Sequence, residues 1–147
     1  MVEIVERSEV ARPSDVVWEV LADFGAISRW APNVAHSCLT TEQENGVGAV
    51  RRVQVGRNGL LERVVDWDPG HRLAYRVEGL PPVLRSVTNS WELEGHNGST
   101  RVTLTSHVDA GARPPQKVVA RVASRVMARA SRQMLAGLKA QLEQVPS

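Results

Sequence analysis

A chain of 147 residues, 42% hydrophobic and 23% charged, has the make-up of one soluble globular domain over residues 1–147, and at this length it buries about two-thirds of its unfolded surface. No apolar run approaches the ~20 residues of a transmembrane helix. Met1–Arg12, with Glu3, Glu6, Arg7 and Glu9, is no signal peptide, and the lone Cys38 forms no internal disulfide, so the expectation is a cytoplasmic protein.

Residues 2–12 predict a first strand. Pro13 opens a short helix with Ser14 and Asp15 in its first turn and Val17, Val20, Leu21 and Phe24 as its buried stripe. A second short helix, Ala26–Trp30, stops at Pro32. From Asn33 to Asp109 the pattern has period two, with turn signals at Asn45-Gly46, Asn58-Gly59, Pro69-Gly70, Pro81-Pro82 and Asn97-Gly98. Six strands in a meander fit these marks.

Turn positions then set the register. A two-residue turn at Asn97-Gly98 puts Leu93 opposite Val102, Trp91 opposite Leu104, Asn89 opposite Ser106 and Val87 opposite Val108 on an inner face. It puts Glu94 opposite Arg101 and Thr88 opposite His107 on the outer face. A loop at Arg57-Asn58 sets Val53 opposite Glu62, Arg51 opposite Val64 and Arg52 opposite Arg63. A turn at Pro69-Gly70 adds Val64 beside Tyr75, Glu62 beside Val77 and Arg63 beside Arg76. The inner face is thus Val53, Val55, Leu60, Val64, Leu73, Tyr75, Val77, Val87, Trp91, Leu93, Val102 and Leu104, with Arg51, Glu62 and Asn89 among them. Arg51 and Glu62 are diagonal neighbours in this register, and a charged pair on an apolar face is costly unless satisfied or wet.

Pro114–Gln144 predicts one long helix, with prolines at its start and Pro146 past its end; at ~1.5 Å per residue it spans about 46 Å and needs a large surface to lie on. Val119, Val122, Ala123, Val126, Ala130, Met134, Gly137, Leu138 and Gln141 fall on the side expected to face the sheet, opposite Arg121, Arg125, Arg129, Arg132 and Lys139. Gly137 inside a helix costs ~1 kcal/mol against Ala. The formal net charge of +2 is uneven. From Gly111 onward Arg113, Lys117, the four helix arginines and Lys139 are balanced by Glu143 alone, so an anionic partner competes with a simply solvated face.

Several motifs combine into a resemblance. They are Ala11-Arg12-Pro13 before Val17-Trp18-Glu19-Val20-Leu21-Ala22-Asp23-Phe24, then Trp30-Ala31-Pro32, Gly46-Val47-Gly48 with Arg51, and Gly59 with Glu62. Leu73-Ala74-Tyr75, Trp91-Glu92-Leu93 and Thr100-Arg101-Val102 complete the set. In this order they resemble the SRPBCC superfamily and, within it, the polyketide cyclase/dehydrase and START-like group. The resemblance implies an α+β helix-grip fold: a curved seven-stranded antiparallel sheet wrapped around the long C-terminal helix, with two short helices between strands 1 and 2. It also implies a cavity between sheet and helix that takes a small hydrophobic molecule such as a lipid or polyketide. Some members catalyse cyclisation, aromatisation or dehydration in that cavity, and fold alone does not choose between carrier and enzyme.

Under this resemblance the ligand-binding candidates are Trp30, Arg51, Val53, Glu62, Val64, Tyr75, Val77, Asn89, Trp91, Leu104, Met127, Ala130 and Met134. Glu62, Arg51 and Tyr75 are the candidates for acid–base or carbonyl-orienting work. Each has a plainer reading: Arg51–Glu62 as an internal brace, the rings as core, the methionines as gap fillers. His36, His71, His96 and His107 do not cluster, and His36 with Cys38 falls short of the three or four ligands zinc needs, so no metal is expected. No glycine-rich loop precedes a helix, so no nucleotide cofactor is expected. The basic helix lacks interleaved aromatics, which disfavours nucleic acid. Peripheral membrane contact and a monomer or homodimer remain open.

Overall fold

The computed structural model describes residues 2–80, 85–109 and 116–143, with only the backbone of 116–120. Seven antiparallel strands form one open sheet: β1 (Val2–Val10), β2 (His36–Leu39), β3 (Val50–Val55), β4 (Asn58–Asp68), β5 (Arg72–Glu78), β6 (Ser86–His96) and β7 (Ser99–Asp109), in the order β1-β7-β6-β5-β4-β3-β2. Between β1 and β2 lie α1 (Ser14–Ala22) and a 3-10 helix (Phe24–Arg29), and the chain returns as α2 (Gln116–Glu143). This is the helix-grip α+β arrangement. Among the described residues no helix is long and apolar enough to cross a membrane.

The β6–β7 hairpin has the expected register, with Trp91 opposite Leu104 and Asn89 opposite Ser106. Asn97 and Gly98 both take positive φ, 51° and 80°, the turn whose twist matches that of the strands. The β3–β4 hairpin differs. Its loop is Gly56-Arg57, so Val55 faces Asn58, Val53 faces Leu60, Arg52 faces Leu61 and Arg51 faces Glu62 directly. The expected pairs Val53–Glu62, Arg51–Val64 and Arg52–Arg63 are therefore displaced by two residues, because Gly56, at φ 59°, supplies the turn instead of Asn58. A shift of two keeps every side chain on its face. In β4–β5 the pairs Glu62–Val77, Arg63–Arg76 and Val64–Tyr75 form as expected, but a bulge between Val64 and Asp66 offsets a three-residue loop, with Asp68 opposite Arg72.

Helix α2 lies along the edge strand. Arg132 Nη1 meets Glu6 Oε1 at 2.9 Å, Lys139 Nζ donates to the Glu9 carbonyl at 3.0 Å, and Arg12 Nε donates to the Leu142 carbonyl at 3.0 Å. Its buried line is Ser131, Met134, Leu135, Leu138 and Leu142, with Ala123, Met127 and Ala128 half-buried ahead of it. Three residues expected inside lie outside: Val122 and Val126 are 57% and 61% exposed, and Gln141 is exposed. A helix near the sheet edge buries a narrow stripe at three- and four-residue spacing, and positions one residue before Ala123 and Met127 are turned about 100° from it. Pro114, Pro115, Pro146, the Pro81-Pro82 turn and the Val119 side chain lie outside the described residues.

Gly137 has a specific reason to be glycine. The Trp30–Pro32 segment crosses α2 there, and a Cβ on residue 137 would overlap the Trp30 carbonyl oxygen and come within 2.6 Å of Pro32 Cδ. The short helices are thereby pinned against α2. On the opposite side Ser37 Oγ ties the 3-10 helix to β2, donating at 2.8 Å to the Gly25 carbonyl and accepting from the Ser28 N–H at 3.0 Å.

Candidate functional site

The site grows from the β3–β4 register. Because the loop is Gly56-Arg57, Arg51 and Glu62 face each other on the inner side of the sheet, and Arg51 Nε donates to Glu62 Oε1 at 2.7 Å. The two residues are 2% and 8% exposed, so each charge depends on the other in place of water. Arg51 Nη1 donates to the Phe24 carbonyl at 2.9 Å, which ties the hairpin to the 3-10 helix. Its guanidinium lies 3.8 Å from the Phe24 ring centroid and 4.5 Å from that of Tyr75. Phe24 and Tyr75 are the chain's sole phenylalanine and tyrosine, and both sit on this one cation.

Tyr75 carries the cluster across to β6. Its hydroxyl accepts from Trp91 Nε1 at 3.2 Å, and Trp91 meets Trp30 edge-on with centroids 5.7 Å apart. Asn89 stands opposite Tyr75 and accepts at Oδ1 from Ser106 Oγ at 2.6 Å. Burial raises the Tyr75 pKa, the Glu62 charge raises it further, and Arg51, Trp91 and Asn89 pull it back in part. The hydroxyl therefore keeps its proton well into the alkaline range. Two buried donors of the cluster, Arg51 Nη2 and Trp30 Nε1, have no acceptor among the described residues.

Residues at different depths differ in packing. Trp30, Arg51, Val53, Glu62, Val64, Tyr75, Val77, Asn89, Trp91, Leu104 and Met134 are all buried, whereas Met127 and Ala130 on α2 are half-buried. At one end of the sheet Val55, Leu60 and Leu80 are also only partly covered. Ala123 and Met127 on α2 are partly covered as well. Towards the C-terminal end of α2 the Trp30–Pro32 segment lies against Gly137.

Two depressions among the described residues lie elsewhere. One of about 500 Å3 is lined by polar residues of the β6–β7 tip and Glu9, and one of about 180 Å3 lies between α1, the 3-10 helix and Gln141. Neither reaches Arg51. The sequence reading missed Phe24, whose carbonyl and ring both hold Arg51; it was placed in a helical stripe, and only its being the single phenylalanine marked it. It also missed Leu80, which follows a glycine at φ 92° and belongs to no periodic run.

Residues 1–143 match the family described as polyketide cyclase / dehydrase and lipid transport. The chain belongs to that family. The family description covers cyclases, dehydrases and lipid transport alike. The fold is similar to the crystal structure of the Zhui aromatase/cyclase from Streptomyces sp. R1128, with a TM-score of 0.82 and 24% identity over 97% of this chain and 94% of that one. It is also similar to the di-domain ARO/CYC BexL, with a TM-score of 0.79 and 21% identity over 97% of this chain and 47% of that one. A START superfamily protein from Mycobacterium smegmatis matches with a TM-score of 0.78 and 13% identity over 98% of this chain and 99% of that one. In sequence, an uncharacterised protein of Mycobacterium tuberculosis is 28% identical over 100 residues, 66% of this chain. The match spans 59% of that relative's length.

Proposed function

We propose that this family member binds one small, largely apolar molecule between α2 and the inner face of the sheet, admitted at the rim of Val55, Leu60, Leu80, Ala123 and Met127. The observation that carries this reading is the Arg51–Glu62–Tyr75 cluster, a charged and hydrogen-bonding floor beneath an apolar rim. Arg51 Nη2 and Trp30 Nε1, both buried without an acceptor among the described residues, suit a carbonyl or carboxylate on the guest. Val53, Val64, Val77, Leu104, Met127, Ala130 and Met134 would supply the apolar walls, and Met127, unbranched and half-buried, is the wall most able to move aside. The test is titration with the neutral apolar dye Nile red. Saturable binding at one dye per chain, weakened by Met127→Glu, supports the reading; no binding sinks it.

A second reading, cyclase or dehydratase chemistry on a polyketide-like guest, is favoured by the Tyr75 hydroxyl. A phenol that keeps its proton, 4.5 Å from a guanidinium at the ring centroid, can protonate or polarise a carbonyl oxygen while Glu62 takes a proton. The aromatase/cyclase names of two structural relatives point the same way. Glu62→Gln separates the readings: turnover of an aromatic polyketide precursor would be lost with folding intact in an enzyme, while a carrier would change only in affinity.

A further inference from the structure

The ligand site leaves one side of the first half of α2 unused. Arg121, Arg125 and Arg129 are exposed and have no hydrogen-bond or ion-pair partner among the described residues. Arg132 and Lys139, further along, are held by Glu6 and Glu9. Beside the free row lie Val122 and Val126, 57% and 61% exposed. At about 100° per residue these five side chains share an arc of roughly 140°.

The two anchors fix where this half sits. Arg132 is beside Glu6 and Lys139 beside Glu9, so seven helix residues run alongside three strand residues, about 10 Å in each case. Extended backwards, the helix passes Val2, the start of β1, at about Ala123. The arginine–valine stripe is thus carried near and beyond the sheet's end, and Ala123 and Met127, two of the residues proposed above for the entrance, lie on the same turns.

Arginines alternating with exposed branched apolar side chains suit a surface of phosphates with hydrocarbon beneath: guanidinium groups bind phosphate in pairs of hydrogen bonds, and the valines enter the boundary layer. A second copy of this helix would bring like charges together. We propose that the first half of α2 docks on an anionic phospholipid surface through Arg121, Arg125, Arg129, Val122 and Val126. This sets the rim of the ligand site beside the bilayer, a consequence that rests on the reading above, whereas the docking itself does not.

The test is co-sedimentation with vesicles of equal phosphatidylglycerol and phosphatidylcholine, against phosphatidylcholine alone. Binding should appear only with the anionic lipid and fall roughly tenfold or more between about 0.05 and 0.3 M salt. Arg121→Gln/Arg125→Gln/Arg129→Gln should lower it at least tenfold, and Val122→Ser/Val126→Ser several-fold. All five positions are exposed, so circular dichroism and Nile red titration of both variants should match the parent chain. Equal binding by the triple variant, equal binding to both vesicle types, or no binding to anionic vesicles at 0.1 M salt would overturn the docking. Vesicle binding without Nile red binding would leave the docking standing and remove the ligand reading.

Discussion

Gly137→Ala sets two physical arguments against each other. Helix propensity alone favours alanine by ~1 kcal/mol in a helix interior. The structure predicts the reverse, because the new methyl would overlap the Trp30 carbonyl oxygen and sit 2.6 Å from Pro32 Cδ. Carbon–carbon contacts are comfortable at about 3.5–4.0 Å, so the Trp30–Pro32 segment must retreat by about 1 Å. Both neighbours are backbone or a proline ring and cannot rotate away. Overpacking of this kind costs typically 1–3 kcal/mol, leaving a net loss of up to about 2 kcal/mol after the propensity gain. For a chain of this length that lowers Tm by up to roughly 8 °C. Urea unfolding followed by circular dichroism gives the energy, and tryptophan emission reports whether Trp30 leaves the edge of Trp91. Ala140→Gly, at an exposed position of α2, calibrates propensity alone. If Gly137→Ala raised stability by about 1 kcal/mol, the Trp30–Pro32 segment would not lie on α2 as described.

Tyr75, the sole tyrosine, should show no phenolate absorbance on passing pH 10. Its raised pKa means that the unfolded chain releases the proton first, so the stability it confers is whole below about pH 10 and declines as pH rises towards the folded pKa. An alkaline titration should give phenolate only together with unfolding; free ionisation at pH 10 in the folded chain would contradict its burial beside Glu62. Removing one member of the buried pair by Glu62→Leu strands the Arg51 charge and should cost about 3–5 kcal/mol, while Arg51→Leu/Glu62→Leu should recover much of that loss. Denaturant unfolding of the single and double variants reads the coupling, and additive losses would show that the 2.7 Å contact carries no interaction energy.

Legibility in the sequence followed the uniqueness of local signals. Asn97-Gly98 offers one good turn, and the β6–β7 register was readable from it. Gly56-Arg57-Asn58-Gly59 offers two, and choosing Asn58 moved Arg51 from its true place opposite Glu62 to a diagonal one without changing its face. In α2, arginines recur every four residues through the apolar positions, so the inward direction was blurred by one residue. Val122 and Val126 were placed inside, while Ser131, Leu135 and Leu142 were not recognised as buried. The function of Gly137 is a contact with a segment about a hundred residues away, which no local pattern encodes. The turn positions and the period-two pattern placed Arg51, Glu62, Tyr75 and Asn89 on the inner face, but their joining through Phe24 and Trp91 depends on how the short helices fold back.

The central claim, an apolar guest between α2 and the sheet, can be tested with methyl-labelled methionine, since the chain has only Met1, Met127 and Met134. Addition of one equivalent of Nile red should shift the Met127 methyl signal strongly and the deeper Met134 signal as well. A dye that binds without moving Met127 or Met134, or that moves neither because it does not bind, would contradict the account.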